Sequence, residues 1–131
     1  MSTYLGAAGI GVADLEKSAD FYCQVFGMVR MQTLTLEHMN EIILGFTGSR
    51  SAAVVLMHYT DGSAPNYSSN PVKLVFYVDL LQDNIDRIKS SNHEIVQQPT
   101  LYESMGGATI AFAKDPDGYL VEMIQKPAKA G

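Results

Sequence analysis

Gly11-Val12-Ala13-Asp14-Leu15-Glu16-Lys17-Ser18-Ala19-Asp20-Phe21-Tyr22, followed by Phe26-Gly27, reads as the end of a strand running into a helix. Residues 5–12 are apolar and short, the mark of a buried strand. Asp14 is a natural N-cap, because its carboxylate can accept from the free amides of a first helical turn. Leu15, Ala19, Tyr22 and Phe26 recur at helical spacing, and Gly27 supplies a left-handed stop. A shift of 66 residues, without gaps, brings a second unit of the same kind into line. Val12 meets Val78, Leu15 meets Leu81, Asp20 meets Asp86, Phe46 meets Phe112, Val55 meets Val121 and Met57 meets Met123. Nine positions are identical over 5–60 against 71–126. The second half again opens with a strand, 72–78, and a helix whose stripe is Leu81, Ile85 and Ile88, with Asn92 suited to a left-handed end.

Three further strands are expected in each half. In the first they are 28–36, 42–46 and 53–58, with a hairpin turn at 37–40. In the second they are 94–97, 108–113 and 119–125, the last two joined by the strong turn Asp115-Pro116-Asp117-Gly118. The pattern predicts an α+β fold of two tandem βαβββ modules, 5–59 and 71–126, joined by a polar linker at 60–70 within one domain over 1–131. Side by side, the modules would form a curved, eight-stranded mixed sheet with a concave ligand cleft. Residues 97–107 would be a long loop, and Met105-Gly106-Gly107 within it a flap over that cleft.

The chain has 131 residues, 47% of them hydrophobic and 18% charged, enough for a buried core and too apolar for disorder. The net charge of −5 argues against nucleic acid and favours a cationic ligand. One cysteine, Cys23, excludes a disulfide framework and a thiolate metal cage, and its place inside a helix makes it a packing residue. The start, Met1-Ser2-Thr3-Tyr4, lacks the features of a signal peptide, and the apolar run 52–57 is far short of the ~20 residues that span a bilayer. The expectation is a cytoplasmic protein with no membrane partner.

The stretch 11–22 with Phe26-Gly27-Met28, and a second, Ile110-Ala111-Phe112 with Asp115-Pro116-Asp117-Gly118-Tyr119-Leu120-Val121-Glu122-Met123-Ile124, resemble the vicinal oxygen chelate superfamily. That group includes glyoxalase I, bleomycin-resistance proteins and extradiol dioxygenases, and the second stretch is most similar to bacterial glyoxalase I. The resemblance implies two-fold dimers and, in metal-dependent members, one metal ligand from each of four strands. The matching positions here are Ala7, Leu56, Lys73 and Glu122. Only Glu122 carries a ligand side chain, and Lys73 would set a cation where the metal cation belongs. No metal and no cofactor are therefore expected.

Alternation of side chains along the strands places Ala7, Gly9, Gly11, Lys73, Val75, Tyr77, Val54, Leu56, His58, Leu120, Glu122 and Ile124 on the concave face. The opposite face, with Ile10, Val12, Phe76, Val78, Val55, Met57, Val121 and Met123, would pack under the helices. Glu122 and Lys73 are the candidate catalytic pair: carboxylate base and ammonium electrophile, a pair that orients a polar group on a bound ligand, or simply a paired charge. Leu56, Ala7 and Gly9 would line a ligand pocket. His58 would donate to a ligand or stand half exposed, and Tyr77 would line the pocket floor or belong to the core. His38 and His93 read as solvated. Three functions remain open: a metal-free module binding a small organic molecule in an apolar cleft; an isomerase or lyase of glyoxalase type acting on a carbonyl compound or its thiol adduct, with a metal kept by other ligands or with Lys73 in its place; or a dimeric accessory protein with no ligand.

Overall fold

The computed structural model describes residues 2–49 and 52–128. The chain divides into two compact units, 1–67 and 68–131. The element order is β1 (Ala8–Gly11), α1 (Leu15–Phe26), β2 (Val29–Thr35), β3 (Met39–Gly45), β4 (Val54–Tyr59), then β5 (Lys73–Tyr77), α2 (Leu81–Ser90), β6 (Ile95–Tyr102), a short 3-10 turn (Glu103–Met105), β7 (Ala108–Lys114) and β8 (Leu120–Gln125). Each unit is thus βαβββ, and each forms a four-stranded mixed sheet. The orders are β1-β4-β3-β2 and β5-β8-β7-β6. The edge strands β1 and β5 run parallel to β4 and β8; the remaining pairs are antiparallel.

In the first unit, α1 begins where Asp14 accepts a bond from Lys17 N at 3.1 Å. It ends where Gly27 turns left-handed at φ 71 and donates its N–H to Cys23 O. The buried side chains of α1 are Ser18, Ala19, Phe21, Tyr22 and Val25. They cover a sheet face made of Ile10, Val12, Ile42, Leu44, Val54 and Leu56, all under 9% exposed. Arg30 on β2 ties the outside of α1 with bonds to Glu16 at 2.8 Å and Asp20 at 3.0 Å.

In the second unit, Leu81, Ile85 and Ile88 are buried as their spacing predicts, with Asn84 beside them. Leu80 precedes α2 and has no side chain that can cap it. Gln125, at the end of β8, instead accepts from Leu81 N at 2.8 Å. Asn92 is left-handed at φ 59. The turn before β8 is held by Asp115, 3% exposed, whose Oδ1 accepts from both Asp117 N and Tyr119 N at 2.9 Å.

Two expectations are corrected here. The segment predicted as a long loop with a flap is mostly strand: β6 continues to Tyr102, and Met105 closes a 3-10 turn. Pro99 lies within β6, an edge strand, where one missing amide can be tolerated. The gap-free repeat also fails at the later strands. Gly9 pairs with Val55, and Val75 pairs with Glu122. Hence β1 and β5 correspond at a shift of 66, but β4 and β8 at 67. Met57 with Met123 and Val55 with Val121 are sequence coincidences and not equivalent positions.

Candidate functional site

The helix-free face of the first sheet carries Ala7, Gly9, Val55, Met57, Ile43 and Glu41. This follows from the register, in which Gly9 lies beside Val55 and Val55 beside Ile43. The one-residue shift changes which β4 residues reach this face. Leu56 lies beside Ile10 and Ile42, is fully buried, and faces α1; the expected place of Leu56 on the open face is therefore corrected to Val55. Ala7 and Val55 line an open cleft of about 580 Å³ with Tyr4, Met31, Gln32 and Ile43. Gly9 does not offer a free floor, because Met57 folds over it: a Cβ at Gly9 would stand 3.2 Å from the Met57 thioether.

His58 is already engaged within its own unit. Its Nδ1 lies 2.9 Å from Val12 O, and its ring stacks on Tyr67 at 5.4 Å and 23°. The Tyr67 hydroxyl accepts from Tyr59 N at 3.0 Å, and its ring sits where a Cβ at Gly11 would be, 3.1 Å away. Sequence reasoning missed Tyr67 and Met57. The first lay in the polar linker, and the second was assigned to the other face. His38 is exposed, 3.9 Å from Glu37.

In the second unit the expected faces hold. Lys73, Val75 and Tyr77 lie beside Leu120, Glu122 and Ile124, and Phe112 lies on the far side of Glu122. Lys73 Nζ stands 2.9 Å from Glu122 Oε1. The Glu122 side chain is 9% exposed and that of Lys73 49%. The carboxylate is thus sunk in the sheet, with the ammonium above it. Tyr77 is 68% exposed, so it is neither core nor a buried floor. Lys126 Nζ lies 4.9 Å from the centre of its ring, and together they border a small cleft of about 220 Å³ with Asp79 and Ile124. Ala108, Ile110 and Ile124 form an apolar cluster with Tyr102 and Phe112 against it.

Cys23 lies half-buried in α1. Burial pushes its thiol above the usual range, and Arg30 pulls the other way.

Two mixed sheets of βαβββ order, with a charged pair in place of a ligand cluster, define a class. The Glyoxalase/Bleomycin resistance protein/Dioxygenase superfamily matches residues 4–123, and the chain belongs to it. Within it, the chain is 37% identical over 125 residues to a probable lactoylglutathione lyase of Vibrio cholerae, covering 92% of this chain and 89% of that one. It is 30% identical to a probable lactoylglutathione lyase of Synechocystis, covering 92% and 93%. Glyoxalase I from Zea mays superposes with a TM-score of 0.78 at 27% identity, covering 95% of this chain and 45% of the maize chain, so this chain spans just under half of it. An antibiotic binding protein from Streptomyces, TnmS3, shares the fold at TM-score 0.74 and 18% identity.

A divalent ion of the family's kind does not fit the residues present. The positions concerned supply two alkyl side chains, one carboxylate and one ammonium, and the ammonium already occupies the carboxylate at 2.9 Å. Among the described residues, no three His, Cys, Asp or Glu come together. A cation bound at Glu122 would have to displace Lys73 and then stand beside it, at a cost of several kcal/mol even with an effective dielectric of about 20.

Proposed function

We propose that this protein binds a small organic molecule on the open sheet faces of its modules and does so without the family's divalent metal. The Lys73–Glu122 ion pair carries this reading. It satisfies a carboxylate that is 9% exposed, and it leaves a charge-paired polar point among apolar side chains. The surface fits such a ligand: Ala7, Val55 and Ile43 on the first sheet, and Val75, Phe112 and Ile124 on the second. A mostly apolar face with a few polar groups gives both affinity and orientation. Family membership and exposed apolar side chains such as Leu5, Leu80 and Leu101 support a homodimer. No described helix is long and apolar enough to cross a membrane, which accords with a cytoplasmic protein.

The test is metal content. Protein purified and dialysed after exposure to nickel, zinc or cobalt should retain far less than one ion per chain. Stoichiometric metal, lost in Glu122→Ala, would overturn the reading.

One observation favours a second reading: the relative at 37% identity is named a probable lactoylglutathione lyase. In that reading, Glu122 takes a proton from the carbon beside a carbonyl and returns it to the neighbouring carbon. The Lys73 ammonium faces the enolate oxygen meanwhile. Conversion of the methylglyoxal–glutathione adduct that is insensitive to chelator and lost in Lys73→Met would support it. No conversion by the wild-type protein would remove it.

A further inference from the structure

The charged pair is not symmetric. Glu122 is nearly closed off, while about half of the Lys73 side chain meets solvent. A molecule that settles on the second sheet therefore meets the positive end of the pair. Among the described residues, Glu122 is the partner of Lys73, and an ammonium has three protons to donate. Beside it lie Val75, 46% exposed, Tyr77, 68% exposed, and half-buried Phe112. From Lys73 to Tyr77 the strand runs about 13 Å at ~3.3 Å per residue, room for a carboxylate and a fused bicyclic body. A second ammonium, Lys126, stands over Tyr77 at the other end of the strand, with Asp79 on the same cleft. Lys73 is therefore the cation on this face whose counter-charge is buried beneath it, so that a ligand meets its N–H donors and not the carboxylate.

We propose that the ligand is a small organic anion: its carboxylate, phenolate or enolate oxygen is received by Lys73, and its apolar body lies along Val75, Tyr77 and Phe112. This rests on the small-molecule reading above and names the chemical class that reading leaves open. It also reverses the expectation drawn from the net charge of −5. Carboxylates spread over the surface act on a ligand from beyond about 10 Å and are largely screened at ordinary salt, whereas a half-exposed ammonium in contact is screened only in part.

The experiment compares three probes of one shape, 2-naphthoate, 2-naphthamide and 2-naphthylmethylammonium, titrated into the full chain at low and high ionic strength. Naphthoate should bind about tenfold more tightly than naphthamide, equivalent to about 1.4 kcal/mol, and the ammonium probe most weakly. The preference should shrink with added salt. Lys73→Gln should abolish it, and Glu122→Gln, which frees the ammonium and removes the like charge, should increase it. A pair that serves only structure would not give shifts of opposite sign. Lys89→Gln, which makes the same change of net charge on the exposed side of α2, should leave the preference intact. The salt series on the wild-type protein needs no variant to fold. Equal binding of naphthoate and naphthamide overturns the anion proposal and leaves small-molecule binding standing. If none of the three probes binds, both fall.

Discussion

Breaking the Lys73–Glu122 pair from one side should cost more than breaking it from the other. At 2.9 Å the Coulomb attraction is about 6 kcal/mol with an effective dielectric of 20 and about 1.4 kcal/mol in bulk water. Desolvation of the carboxylate offsets much of this, so the net effect is smaller. The side-chain exposures, 9% for Glu122 and 49% for Lys73, set the asymmetry. Lys73→Met strands a sunken carboxylate that water reaches poorly. Glu122→Leu leaves an ammonium that can turn outward on a flexible stem. We expect Lys73→Met to destabilise by about 2 kcal/mol, below the 3–5 kcal/mol of a fully buried pair because one partner is half exposed. Glu122→Leu should cost under about 1 kcal/mol, and the double variant should lie close to the wild type. Urea denaturation of the four proteins gives the coupling energy directly, expected at about 2–3 kcal/mol. Equal losses in the two single variants, or a double variant whose loss is their sum, would refute the account of a polarised pair.

The remaining predictions concern packing and titration. Leu56→Ala should cost about 2–5 kcal/mol, because it opens a cavity under α1, and Val55→Ala much less; the reverse order would show that β4 is registered the other way. Asp115→Ala should cost about 2–3 kcal/mol, since Asp117 N and Tyr119 N lose their acceptor, and Asp115→Asn should recover part of that in thermal or urea melts. Cys23 should alkylate more slowly than a free thiol near neutral pH, and Arg30→Met should slow it further by removing the group that opposes burial. Because the folded thiol titrates above the unfolded one, its contribution to stability is fully present below the ordinary thiol range. That contribution is lost as pH rises through the raised value.

What the sequence revealed was local. The cap at Asp14, the stop at Gly27, the stripe of α2 and the turn at 115–118 each rest on chemistry within a few residues, and each stands in the fold as read. The faces of β8 were legible because one charged residue, Glu122, breaks an otherwise apolar strand. In β4, Val54-Val55-Leu56-Met57 is apolar throughout, so alternation carries no phase there. Its register is set by pairing with β1 and β3, distant in the chain, and the ungapped repeat misplaced it by one residue. Tyr67 was illegible for a related reason. A tyrosine among Ser, Asn and Pro gives no local sign that it will stack on His58.

The pairing of β1 with β4 also limits how metal chemistry could be engineered back into this chain. A designer copying the family's pattern by alignment would install histidines at Ala7 and Leu56, and the two imidazoles would emerge on opposite sides of the sheet. Histidines at Ala7 and Val55 would instead share one hollow and offer a transition metal two nitrogens at once.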